Sequence, residues 1–219
     1  VKTFTPDSYG FYWSGAVSDG TNVYFGSDNG LLYWRSIADF DTTGGVLDLT
    51  DVASDAGNVR STVMLDDGYL YFTTQGGYLW CCSYDDGLTV EWHKKLGATS
   101  TSTPTKVGDR IYVGYYSGFN AGGVQCVSAD GSSVKTVVEG DGFPVQSSIV
   151  VMGDGTGTDY LYFNTNAQKG AGYCYSFDGT TGSKVWGTTG DTYALGGMAI
   201  DNGDAVFGND YNHLYVVHD

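Results

Sequence analysis

The chain has 219 residues, and its 10 lysines and arginines against 25 aspartates and glutamates leave a net charge of −15. Nucleic acid is excluded as a partner, because a phosphate backbone needs clustered basic side chains that ten scattered ones do not supply. Membrane insertion is excluded as well, since no apolar run approaches the roughly 18 residues of a spanning helix.

The residue types favour strands and tight turns over helix. There are 34 Gly and 18 Tyr against 3 Pro, and every acid except Glu91 and Glu139 is an aspartate. Gly and Asp make turns, whereas Tyr, Val, Thr and Phe suit a pleated, half-buried surface.

Taken in chain order, the predicted elements repeat. Residues 1–5 (Val-Lys-Thr-Phe-Thr) read as a short strand. A first unit follows: an inner strand Ser14-Gly15-Ala16-Val17, an Asp19-Gly20 turn, then Val23-Tyr24-Phe25, Leu31-Leu32-Tyr33-Trp34 and an outer Val46-Leu47-Asp48-Leu49. The second has Ser61-Thr62-Val63, an Asp67-Gly68 turn, Leu70-Tyr71-Phe72, Tyr78-Leu79-Trp80-Cys81 and Val90-Glu91-Trp92. The third runs from Ser102-Thr103-Pro104 through Ile111-Tyr112-Val113 and Val124-Gln125-Cys126-Val127 to Val134-Lys135-Thr136-Val137. The fourth runs from Ser147-Ser148-Ile149 through Leu161-Tyr162-Phe163 and Tyr173-Cys174-Tyr175 to Lys184-Val185-Trp186, and the fifth holds Gly197-Met198-Ala199, Ala205-Val206-Phe207 and His213-Leu214-Tyr215-Val216.

The second-strand anchors Tyr24, Tyr71, Tyr112, Tyr162 and Val206 recur 41 to 50 residues apart. That period is the length of a propeller blade. The expected fold is therefore all-β, a five-bladed β-propeller of four-stranded antiparallel blades over residues 12–49, 59–93, 99–138, 143–187 and 194–219, forming one domain. The fifth unit lacks an outer strand, and residues 1–5 match Lys184-Val185-Trp186 in pattern. The N-terminal strand is therefore expected to complete the last blade and close the ring, which removes an unpaired edge.

The run from Gly172 through Tyr175 to Asp178, followed by Thr181-Gly182-Ser183-Lys184 and then Val185-Trp186, resembles the repeat of the pyrroloquinoline-quinone (PQQ)-like propellers. Tyr78 to Trp92 and Val124 to Gly131 follow the same plan more loosely. The family contains PQQ dehydrogenases, bacterial surface proteins and an outer-membrane assembly lipoprotein, so the fold does not choose a function. The dehydrogenase branch would imply a calcium ion held by a carboxylate and an amide beside the quinone. Glu91 and Glu139 lie in outer or inter-blade segments, away from such a centre, and the resemblance is to the non-catalytic surface-protein type.

Candidate chemistry is sparse. Cys81-Cys82 invites comparison with the adjacent-cysteine disulfide of some PQQ dehydrogenases. Successive residues of a strand point to opposite faces, however, so these two and the related Cys126 and Cys174 are expected to pack between blades. His93, His213 and His218 have no metal-ligand spacing. Gly153 to Asp159 is oxygen-rich and would be the place for calcium, but it lacks the Asp/Asn ladder and terminal Glu of a calcium loop, so no cofactor is expected. For glycoside hydrolysis, which needs two carboxylates, only Asp7, Asp55 and Asp191 could face a channel, and no pair stands out. Whether the chain is an enzyme stays open, with the balance toward no.

The remaining constellation is aromatic. In a propeller, the loops joining an outer strand to the next inner one, and a second strand to a third, gather at one mouth. Tyr12, Trp13, Arg60, Tyr115, Tyr116, Gln146, Tyr193 and Tyr211 fall in or beside these loops, together with Tyr9, Phe11, Asn58, Phe119 and Asn166. Rings supply stacking area and amides orient a ligand. The expected function is a binding or interaction module of a bacterial surface protein, extracellular and monomeric, taking a glycan or small polar-aromatic ligand at the mouth. The alternatives are a PQQ-dependent oxidoreductase, a glycosidase, or a scaffold for a protein partner.

Overall fold

The structure, a computed structural model, describes residues 1–6, 10–85, 87–188, 190 and 192–218. Among these residues, nineteen strands form five antiparallel meanders. Blade one is β1 (Val17–Ser18), β2 (Asn22–Gly26), β3 (Leu31–Ser36) and β4 (Gly44–Asp48). Blade two is β5 (Met64–Asp66), β6 (Tyr69–Thr74), β7 (Tyr78–Ser83) and β8 (Thr89–Lys95). Blade three is β9 (Thr105–Val107), β10 (Arg110–Ser117), β11 (Ala121–Ser128) and β12 (Val134–Asp141). Blade four is β13 (Val150–Met152), β14 (Asp159–Asn164), β15 (Gly172–Phe177) and β16 (Gly182–Gly187), and blade five is β17 (Ala199–Asp201), β18 (Asp204–Gly208) and β19 (Leu214–His218).

Turn chemistry sets the first hairpin of the blades. Asp67-Gly68 and Asn202-Gly203 both take positive φ at the two central positions, 44° and 83° in one, 48° and 86° in the other. That is the turn whose twist matches paired strands, and it requires residues that tolerate left-handed backbone. The first strands are shorter than the small-residue runs suggest and begin after them. Ser61, Ser102 and their neighbours instead form a hydroxyl belt between blades: Ser14 Oγ donates to the Ser61 carbonyl (3.0 Å), the Thr62 amide to Thr103 Oγ1 (3.2 Å), and Ser102 Oγ to the Ser147 carbonyl (2.8 Å).

The core is the set of junctions between blades, and the period of two along β-strands builds it. On the side facing the next blade, each anchor sits opposite one third-strand residue: Tyr24 pairs with Trp34, Tyr71 with Cys81, Tyr112 with Cys126, Tyr162 with Cys174 and Val206 with Val216. The alternate residues, such as Phe72 and Trp80 or Phe163 and Tyr175, face the preceding blade. Four apolar clusters result, joining blades one and two, two and three, three and four, and four and five. Each cluster contains one cysteine, namely Cys82, Cys81, Cys126 and Cys174 in that order. All four are buried, and Cys81 and Cys82 point into different cores.

The expected closure by the N-terminal strand is not seen among the described residues. Residues 1–6 are not a strand, and blade five has three strands. Phe4 instead packs on blade one, with ring centroids 5.3 Å from Tyr33 and 6.0 Å from Phe25, and the Arg35 guanidinium 4.0 Å over its ring. Phe11 joins the same group, 5.2 Å from Phe25, and so leaves the mouth. Three rings and a guanidinium offer Phe4 more contact than the edge of β19, which explains the choice. Among the described residues no buried cluster joins blade five to blade one, and Leu214 and Val216 are 72% and 51% exposed. No helix is long and apolar enough to cross a membrane.

Candidate functional site

The loops meet as the topology requires. One cavity of about 320 Å³ occupies the channel between the starts of the inner strands, lined by Trp13, Arg60, Thr62, Thr101, Thr103, Gln146, Ser147, Ser148, Leu195 and Gly197. A second, of about 520 Å³, opens above it between Trp13, Gln75, Tyr116, Phe119, Gln146, Asn166, Tyr193, Leu195 and Asp210. They meet at Trp13, Gln146 and Leu195. Five of the expected residues, Trp13, Arg60, Tyr116, Gln146 and Tyr193, therefore line these two adjoining cavities.

Trp13 is its most distinctive wall. Its φ of 69° is left-handed, a conformation that a bulky residue adopts only when its surroundings impose it. The preceding segment is pinned by the Gly10 carbonyl, which accepts from Ser27 Oγ (3.1 Å) and from the Asp28 amide (3.2 Å). Tyr12 stacks on Trp13 with centroids 5.3 Å apart, and the Arg60 guanidinium lies 4.8 Å from the Tyr12 ring and 5.5 Å from the Trp13 ring. Arg60 is itself gripped by Asp28, with Nε to Oδ1 at 3.0 Å and Nη2 to Oδ2 at 3.3 Å. This hydrogen bonding pushes the guanidinium pKa up, so the cation persists, already neutralised, as a prop for the two rings. Tyr12 thus supports the site through Trp13 and Arg60 without lining either cavity.

Two expected residues belong elsewhere. Tyr115 is buried under blade three, with its hydroxyl donating to Glu139 (3.1 Å), because strand alternation turns it away from the channel while Tyr116 faces it. Tyr211 is exposed on the rim near His213, outside both cavities, although the adjacent Asp210 lines the upper one. Asn58 is a clamp, accepting from the Asn29 amide and donating to Gln75 Oε1. Tyr9 lies outside the described residues. The sequence reading missed the channel hydroxyls of Thr62, Thr101, Thr103, Ser147 and Ser148. Their signal was the Ser/Thr pair recurring at the same place in the repeat.

The candidate catalytic and cofactor residues that are described lie apart from the two cavities. Asp55 faces outward, where Lys95 and Tyr78 hydrogen bond to its carboxylate (2.9 and 2.8 Å) and hold its pKa below the usual range. Asp7 and Asp191 lie outside the described residues. Glu91 accepts from Ser83 (2.6 Å) on an outer strand. Among the described residues Asp210 is the one carboxylate lining the two cavities. The carboxylate-and-amide cradle and overlying cysteine pair of a quinone site are not what these walls provide, since Cys81 and Cys82 are committed to inter-blade cores.

In the Gly153 to Asp159 loop, Asp159 is spent on protein donors: Arg110 Nη1 (2.9 Å), Tyr112 Oη (2.6 Å) and the Gly155 amide (3.0 Å). Among the described residues no cluster of three or more His, Cys, Asp or Glu is placed to hold a metal. Acids gather at the opposite face, where Asp66, Asp67, Glu91, Asp109 and Asp130 surround Lys106.

Comparison with known proteins agrees with this fold. No protein-family model matches the chain, and no curated protein does. Solved structures do. BamB from Moraxella catarrhalis superposes with a TM-score of 0.63 at 13% identity, over 95% of this chain and 58% of that one. Quinohemoprotein alcohol dehydrogenase from Comamonas testosteroni gives 0.68 at 12%, over 95% and 41%. Sqt1 from Saccharomyces cerevisiae gives 0.59 at 12%, over 96% and 58%. The fold is thus an all-β propeller with five blades present, similar to these structures, and the chain spans about half of their length.

Proposed function

We propose that this protein is a non-catalytic recognition module of the cell surface or extracellular space, taking a small polar ligand with a flat face, of the glycan class, at the propeller mouth. The observation that carries this reading is the two-lobed cavity whose wall combines the propped Trp13 ring with Tyr116, Phe119 and Tyr193 above and a belt of hydroxyls and amides below. Aromatic faces contribute apolar contact while the polar groups fix orientation, the usual division of labour in ligand pockets. Among the described residues one carboxylate, Asp210, lines the cavities, which favours binding over glycoside hydrolysis, a reaction that uses two. The surface placement is supported by composition, acidic and poor in lysine.

Glycan-array binding followed by tryptophan-fluorescence titration tests this. Trp13→Ala and Arg60→Ala should each weaken binding at least about tenfold, the loss of one ring contact or its prop. Unchanged affinity in both variants would remove the mouth from consideration. A protein partner is the second reading, favoured by the exposed rings of Tyr12, Phe119 and Tyr211 around the rim. Tyr211→Ala separates the two, because it lies outside the cavities and should weaken only a protein contact.

A further inference from the structure

Gln146 and Asn166 stand out among the polar residues of the mouth. They are 8% and 7% exposed, so each is more than nine-tenths buried, yet both line the upper cavity and Gln146 also lines the lower one. Their backbones are used: the Gln146 carbonyl accepts from Thr101 Oγ1 (3.4 Å), and the Asn166 amide donates to the Pro144 carbonyl (2.8 Å). Their side-chain carboxamides make no hydrogen bond to protein among the described residues. The contrast with Asn58 and Gln125 is direct, since those amides are committed to Gln75 and to the Gly97 amide. Both carboxamides are left open to the cavity, not sealed in protein, so a ligand or water there is what supplies their partners.

We infer that Gln146 and Asn166 are the specificity-determining pair of this site and that they select a neutral saccharide over an acidic one. The inference rests on the mouth being a binding site, as proposed above, and adds the ligand's charge and the groups that read it. Each carboxamide carries both a donor and an acceptor, the complement of a sugar hydroxyl, which is also both. A carboxylate or phosphate is acceptor-only and calls for a cation. The cavities supply none that is free: Arg60 is their one basic residue and its guanidinium is forked onto Asp28, while Asp210 faces the upper lobe. Both amides share the upper cavity with Trp13, so a pyranose stacked on the indole has hydroxyls within the same space as both.

The test uses the full chain on an array of matched neutral and uronate- or sialate-terminated oligosaccharides, then fluorescence titration with the strongest binder. Wild type should prefer the neutral member of each pair. Gln146→Leu and Asn166→Leu should each weaken that binder about tenfold, the worth of a hydrogen bond lost from a buried site, with thermal unfolding unchanged. Gln146→Lys should shift preference toward the acidic members, which a merely structural role for the residue would not do.

A wild-type preference for acidic oligosaccharides overturns the inference. So does undiminished neutral binding in both leucine variants while Trp13→Ala abolishes it, and in that case the mouth remains the site. Absence of any glycan binding, with no response to Trp13→Ala, overturns both readings together.

Discussion

At the scale of single residues, environment decides which of many similar side chains matter. Twenty-five acids are spread along the chain, yet among the described residues only Asp159 is wholly buried; it ties blade four to blade three through Arg110 and Tyr112 and holds its own hairpin through the Gly155 amide. Its replacement by alanine strands a guanidinium that is 14% exposed and a buried phenol. We expect Asp159→Ala to cost about 3 kcal/mol, the low end for breaking a buried pair, measured as a shift in the urea midpoint. A loss below about 0.5 kcal/mol, the scale of a surface ion pair, would show that the network is ornamental to stability. Tyr115 and Tyr116 make the same point about the site, because adjacency in sequence places them on opposite faces of one strand.

At the scale of elements, the N-terminal segment is the informative case. Its Lys-Thr-Phe pattern suits an outer strand, and the fifth blade has a vacant edge, so sequence reasoning joins the two. The segment lies on blade one instead, where Phe4 meets Phe11, Phe25, Tyr33 and Arg35, and Lys2 approaches Asp41 at 4.0 Å. Deleting residues 1–5 should therefore cost about 1–2 kcal/mol, the sum of a few aromatic contacts and one cation–π contact. Hydrogen exchange should rise in β2 and β3 and stay unchanged in β18 and β19. The reverse pattern would restore the closing strand.

At the scale of the whole molecule, stability resides in a series of blade junctions, each burying one cysteine. Burial pushes the Cys81 and Cys126 thiols up to about 11 from an ordinary 9.0, and raises Cys82 as well. A group whose pKa is higher folded than unfolded holds its proton longer in the native state. Its contribution is complete below the unfolded value and is lost as pH rises from about 9 to about 11. The buried phenols of Tyr24, Tyr71 and Tyr112 shift in the same direction, desolvation being the largest cause. The urea midpoint should accordingly fall between about pH 8 and pH 10.5, and Cys126→Ala should flatten that slope. A midpoint that holds steady across this range would mean that the thiols ionise equally in both states.

What the sequence determined by itself was everything carried by short-range rules. Turn chemistry at Asp67-Gly68 and Asn202-Gly203, the period of two that sends Cys81 and Cys82 into different cores, and the recurrence of the Tyr anchors together define five meanders in order. They also place the loops of Trp13, Arg60, Tyr116, Gln146 and Tyr193 at one mouth. What only the tertiary structure decided was the outcome of competition between distant surfaces. The aromatic face of blade one outbid the edge of β19 for Phe4, and Asp28 claimed Arg60. Gln146 and Asn166 kept their side chains free of protein partners while Asn58 and Gln125 did not. Such choices depend on which faces meet across the fold, and no local pattern encodes that distance.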